Sequence, residues 1–276
     1  MKLLFEQAAQ VCLSPPESRI QKLKTWVEQA NMARNKGNLE PYPNQYDKAE
    51  ELITFYTFAP LVLSSNKVVL TNQILTVAGI NQSADSVVSL CLEKQYPPPA
   101  GYLSWIKDEV KNHPVRYIRE KAINRLKANQ PLESNTHVDA FIETNNFIIF
   151  FEMKFTSDIS YGTTFNPARN QLARLIDVGL EVAKRKGKKL LVFLSTPNTP
   201  YSLKSRLYYY KIQEYASPLM IQKEIPWRPV KDIEENLLTV KWIALEELIN
   251  LLYKDFNHHD KEKAMEFFKE RLLSVR

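Results

Sequence analysis

Glycine is scarce, 6 in 276 residues, and neither GxGxxG nor GxxxxGK[ST] occurs, which argues against a Gly-rich loop that cradles phosphate. The two cysteines, Cys12 and Cys91, make neither a disulfide framework nor a structural zinc site. The four histidines are His113, His137, His258 and His259, and no Cys/His cluster has ligand spacing. Zinc binding is therefore nearly excluded. No window offers about 18 uncharged apolar residues; the best, Thr71 to Leu92, carries asparagine, glutamine, serine and Asp85. The opening Met1-Lys2-Leu3-Leu4-Phe5 starts like a signal peptide, but Glu6, Gln7 and Gln10 break it before h-region length. The expectation is a cytoplasmic protein with reduced cysteines and no membrane partner. With 44% hydrophobic and 25% charged residues, disorder, collagen and coiled coil are poor readings. The length suits one large domain or two modest ones.

Acidic residues are unevenly distributed. The net charge is +6, yet Ala183 to Lys231 holds eleven bases against Glu214 and Glu224 alone, +9 in that segment and −3 elsewhere. Such asymmetry points to a polyanionic partner, nucleic acid first, with a solvated helix end as the plain alternative for Lys184–Lys189.

Residues 1–98 read as a mostly helical N-terminal region, and Pro97-Pro98-Pro99-Ala100-Gly101 is the clearest break, so 99–276 is taken as the second domain. Helix-period stretches cover Ile20 to Ala30, Asp47 to Leu63 with an interruption at Pro60, Leu103 to Lys111, and Val115 to Ala128. Asn66 to Ile80 fits strand or helix. Val138 to Ile142 and Phe147 to Phe155, joined by Thr144-Asn145-Asn146, predict a hairpin. A helix should follow from Pro167, with Asn166 as N-cap, to Lys186 and Gly187, then an apolar strand Leu190 to Leu194. Hairpin, helix, strand implies an α/β fold with a mixed sheet and a helical crossover. Ser202 to Tyr215, Leu245 to Tyr253 and Lys261 to Leu273 read as C-terminal helices, with Val240 to Ala244 a further candidate strand.

The second hairpin strand runs five apolar residues and then Glu152-Met153-Lys154. Residues two apart on a strand share a face, so Glu152 and Lys154 point the same way. Burying such groups costs several kcal/mol per ion unless compensated, roughly. Asp139 on the first strand is the natural neighbour. The chemistry that wants this trio is metal-assisted phosphodiester hydrolysis. Asp139, Glu152 and the Met153 carbonyl are oxygen donors for Mg²⁺. The metal acidifies a bound water, and Lys154 is suited to orient that water or neutralise the developing charge. The plain alternative is a structural ion pair at the hairpin end. His137 shares the Asp139 face as a weaker candidate. Thr156 to Asn166, and Arg169, Asn170 and Gln171 in the next helix's first turn, are placed to contact a sugar–phosphate backbone. Lys204, Arg206 and Lys211 flank Tyr208-Tyr209-Tyr210 as candidate nucleic-acid contacts.

Asp139 followed by Glu152-Met153-Lys154 at the end of an apolar strand resembles the PD-(D/E)XK nuclease superfamily, restriction-endonuclease-like proteins, over about Val115 to Thr196. Gln171 is similar to a glutamine that some members place after the core. Val138 stands where proline is common. The resemblance implies an αβββαβ core and a Mg²⁺-dependent DNA endonuclease of restriction type, with Mn²⁺ as substitute ion and a homodimer as an arrangement open to it. Catalysis would fall to Asp139, Glu152 and Lys154. The family core has one more strand before Asp139. Gln130 to Thr136 is short and polar for it, which leaves an earlier helix end or a segment such as Val68–Leu70. Glu120 is the favoured upstream carboxylate, with Glu109 the other. Rival readings are a non-catalytic DNA-binding or regulatory protein on a nuclease-like core, and a structure-specific repair or recombination nuclease.

Overall fold

The computed structural model describes residues 50–155, 157–198 and 205–255, with positions 261, 262, 265, 268 and 269 beyond them. The expected helix Ile20 to Ala30 lies outside the described residues, as do Cys12, Thr156, Lys204, His258 and His259.

The chain runs α1 (Glu50–Leu63), α2 (Lys67–Val77), β1 (Val87–Tyr96), α3 (Ala100–Glu109), α4 (Arg116–Lys127), β2 (Thr136–Thr144), β3 (Phe147–Met153), α5 (Gln171–Lys186), β4 (Lys189–Thr196), α6 (Leu207–Glu214), α7 (Pro218–Glu224), α8 (Val230–Asn236), β5 (Leu237–Ala244) and α9 (Leu245–Leu252). The five strands form one open sheet in chain order. The β1–β2 and β2–β3 pairs are antiparallel, and the β3–β4 and β4–β5 pairs are parallel. This is an α/β fold with a mixed sheet.

Every residue of β3 is buried, as expected for a central strand covered on both faces. One face packs on α1, α2 and α9 through Phe58, Phe151, Phe193 and Leu248. The other packs on α5 through Ile148, Phe150, Leu190 and Val192. The α5 stripe Leu172, Leu175, Ile176, Leu180 and Ala183 supplies the apolar side. Gly179 is needed there for close approach, since a Cβ at that position would lie 2.6 Å from Leu190 Cδ1. Gly187 closes the helix with φ 63°. A third cluster, Tyr102, Ile106, Ala122, Leu132 and Phe165, holds α3 and α4.

Several expectations change. The strand preceding Asp139 is β1, which stands neither in Gln130–Thr136 nor at Val68–Leu70; the latter is helical. β1 lies before the triple proline and pairs with β2 along its length, so Pro97–Pro99 ends a strand and does not divide two units. Pro60 sits inside α1 without breaking it, because Phe58, Ala59, Leu61 and Val62 are buried around it. α5 begins at Gln171, four residues after Pro167, because Asn170 caps it by accepting from the Ala173 N–H at 3.0 Å. Among the described residues no helix is long and apolar enough to cross a membrane.

Candidate active site

Sheet register assembles the site. Ala140 pairs with Phe151, so the next position sets Asp139 opposite Glu152, and directly opposed residues share a face. On the other side, Leu92 pairs with Ala140 and Lys94 with Val138, which brackets Glu93 opposite Asp139. Three carboxylate residues thus stand in one row across β1, β2 and β3.

The side chains lie at the end of the sheet where β3 runs out. Glu152 is buried, and Lys154 Nζ meets its Oε1 at 2.8 Å. Asp139 Oδ2 accepts from the Met153 N–H at 2.6 Å, which ties the two strands of the hairpin through the candidate residues themselves. The Lys154 N–H donates to the Ser195 carbonyl at 2.9 Å and extends the β3–β4 pairing by one residue. Gln171, at the start of α5, donates from Nε2 to Glu152 Oε1 at 2.5 Å. The positive end of α5 is therefore turned toward the carboxylates. Burial, then the Glu152 and Glu93 carboxylates, pushes the Asp139 carboxyl well above its usual range, against the pull of Lys154 and the Met153 N–H.

Glu93 is the carboxylate that sequence reasoning missed. It is buried at 3% exposure and holds φ 56°, a left-handed backbone that a non-glycine residue adopts at a cost of about 1–3 kcal/mol. A signal was present. Val87 to Leu92 is an apolar-rich run ending in Glu93-Lys94, the same pattern that marks the end of β3. Glu120 is instead exposed on α4 and paired with Arg116 at 2.7 Å, and Glu109 is exposed on α3, so neither is the carboxylate beside Asp139.

The expected backbone contacts separate. Arg169 is fully buried: it pairs with Glu133 Oε2 and Asp177 Oδ2 at 3.0 Å each, and its guanidinium lies 3.9 Å from the Tyr102 ring centre and 4.8 Å from that of Trp227. Asn170 is buried too, donating to the Tyr215 hydroxyl at 2.6 Å and to Glu224. Neither faces solvent, so both are corrected from phosphate contacts to packing groups. Gln171 holds Glu152 rather than an outside ligand. Lys211 is engaged by Glu214 at 2.7 Å and Glu224 at 2.5 Å. Arg206 is half-buried and precedes α6. Much of the basic excess of Ala183–Lys231 is met by acids from outside that segment: Lys186 and Lys188 by Glu143, Lys184 by Asp232, and Arg228 by Asp177 and Asp232. His137 is exposed on β2, opposite Gln95.

The loop after β3 is anchored at both ends. Asp158 accepts from the Leu207 and Tyr208 N–H groups at 2.6 and 3.2 Å, and the Gln171 N–H donates to the Ser160 carbonyl at 3.0 Å. Between these points Tyr161 is 75% exposed. Of the three adjacent tyrosines, Tyr208 is buried and Tyr210 exposed.

Among the described residues no three His, Cys, Asp or Glu side chains are grouped so as to hold a metal ion. Mg²⁺ does not require three such groups, since it keeps several waters and is usually held by one or two carboxylates. The opposed carboxylates of Asp139 and Glu152, a hard-oxygen pair facing mutual repulsion, fit that ion. Compared with known proteins, the chain matches no protein-family model, no curated protein and no solved structure.

Proposed function

We propose that this chain is a Mg²⁺-dependent nuclease of PD-(D/E)XK type that hydrolyses DNA phosphodiesters, with restriction-type endonuclease action as the specific reading. One observation carries it: Asp139, Glu152 and Lys154 meet on one face at the end of the sheet, with Lys154 Nζ 2.8 Å from Glu152. The element order supports it as well. Apart from the α3–α4 insertion between β1 and β2, the antiparallel β1, β2 and β3, the crossover helix α5 and the parallel β4 follow the αβββαβ succession.

Asp139 and Glu152 would hold the metal, with the Met153 carbonyl as a third oxygen and Glu93 beside them. When bound, the ion supplies an acidified water and charge stabilisation at phosphorus. The chain's own residues do the remaining work. Gln171 and Lys154 fix the orientation of Glu152. The ammonium of Lys154 is positioned to orient the attacking water and to offset charge as it develops on the phosphate. The competing reading, a nuclease-like core without activity, draws on the same Lys154–Glu152 pair, which serves equally as a structural ion pair.

Incubation of plasmid, linear duplex, single-stranded DNA and RNA with Mg²⁺, Mn²⁺ or EDTA separates the readings. The expected result is metal-dependent cleavage of DNA, lost in Glu152→Gln with loss of metal affinity. Lys154→Ala should keep metal and DNA binding but cleave about 10²–10³ times more slowly. Cleavage by Lys154→Ala at the wild-type rate would make the lysine structural, and no cleavage of any substrate would refute the proposal.

A further inference from the structure

We propose that α4, in the insertion between β1 and β2, is the surface on which the sugar–phosphate backbone of duplex DNA docks. The inference rests on the nuclease reading of the site and adds to it where the substrate lies.

Topology puts this insertion at the site. Tyr96 pairs with Thr136, so residues 97–135 leave and re-enter the sheet at the end where Glu93 and Asp139 stand three positions inward. The insertion also touches the loop leaving the active strand: Phe165 packs in one cluster with Tyr102, Ala122 and Leu132, and Arg125 lies 5.7 Å from the Phe165 ring centre. Through Arg169, buried against Tyr102 and Glu133 of the insertion and Asp177 of α5, the same body is fixed to the helix that holds Glu152.

The charge of α4 is of one sign. It carries Arg116, Arg119, Lys121, Arg125 and Lys127 against Glu120 alone. Only Arg116 spends its charge on that acid; among the described residues no carboxylate pairs with Arg119, Lys121, Arg125 or Lys127. This contrasts with the Ala183–Lys231 segment, whose bases are largely matched. Ala122 is the one buried residue of α4, and Tyr117 is 66% exposed. Tyr117, Lys121, Asn124, Arg125 and Gln130 line an open cleft of about 400 Å³ together with Glu120, whose carboxylate is held by Arg116 at 2.7 Å. Cations interleaved with neutral hydrogen-bonding side chains and an aromatic ring are the set that proteins use on phosphate and sugar. Twelve residues rise about 18 Å along the helix, and duplex DNA presents a charge every ~1.7 Å of its axis, so the charges match over several phosphates.

The test is fluorescence anisotropy with a short labelled DNA duplex across a salt series, in EDTA so that no cleavage intervenes. Lys121→Ala/Lys127→Ala should lower the slope of log affinity against log salt by about 1.8 and weaken binding roughly tenfold near physiological salt. Lys121→Arg/Lys127→Arg should restore both. Lys184→Ala/Arg185→Ala, which removes equal charge at the far end of α5, should leave the slope unchanged. An unaltered slope in the α4 variant, or preference for an RNA hairpin or single strand over the duplex, overturns the proposal. A separate Mg²⁺ cleavage assay distinguishes the two readings. Cleavage with an unaltered slope sinks the α4 surface alone, whereas an α4-dependent slope without cleavage supports the surface and sinks the nuclease reading.

Discussion

Arg169→Met isolates the buried charge cluster that joins the insertion to α5. Arg169 faces two carboxylates at 3.0 Å and two aromatic rings, with no solvent exposure. Its removal does not strand the carboxylates equally. Asp177 retains Arg228 at 2.8 Å, whereas among the described residues no cation other than Arg169 pairs with Glu133. Breaking a buried pair by removing one partner costs about 3–5 kcal/mol, and most of it should fall on Glu133. A desolvated cation–π contact adds about 2 kcal/mol, partly recovered by methionine packing on the same rings. For a domain of this size the Tm should fall by roughly 10 °C. Adding Glu133→Gln removes the stranded charge and should return about 2 kcal/mol, a coupling readable as a double-mutant cycle. Urea denaturation followed by far-ultraviolet circular dichroism measures all three proteins without relying on the fluorescence of Trp227. If Arg169→Met unfolds like wild type yet loses DNA affinity and salt slope, the guanidinium reaches phosphate and the structural assignment is wrong.

Asp139→Asn removes a carboxylate crowded by Glu152 and Glu93 while leaving an oxygen for the Met153 N–H. The metal-free protein should melt higher than wild type, and Mg²⁺ should no longer raise its Tm; calorimetry that finds a lower metal-free Tm would contradict the repulsion argument. Gly179→Ala drives a Cβ to 2.6 Å from Leu190 Cδ1 inside a packed core, and should destabilise by about 1–2 kcal/mol despite better helix propensity, as urea titration would show. Glu143, though burial opposes it, is held below its ordinary value by Lys186 and Lys188. Its stabilisation is therefore complete above the unfolded carboxylate pKa of about 4.3 and is lost as pH falls below it. Glu143→Gln should flatten the acid limb of Tm against pH between about 5 and 2, and an unchanged limb would show that the pair contributes nothing.

The sequence by itself determined the hairpin, the crossover helix and the strand after it, because each is a local pattern. β3 is a continuous apolar run, α5 carries a helical stripe closed by Gly187, and the common face of Glu152 and Lys154 follows from strand alternation alone. Glu152 and Lys154 share a face as a consequence of the period of two, whereas Asp139 joins them through the hairpin register that pairs Ala140 with Phe151. Tertiary structure decided what alternation cannot express. β1 is an edge strand of mixed polarity that acquires its identity from pairing with β2, so the charge ending its apolar run gained its place beside Asp139 only from the register. Charge was the other blind spot. Along the chain Arg169 and the bases of Ala183–Lys231 look available, but Glu133, Glu143, Asp177 and Asp232 come from segments up to 51 residues away to meet them. The bases of α4 look no different in one dimension; they stand apart because, among the described residues, the fold brings no acid from another segment to them.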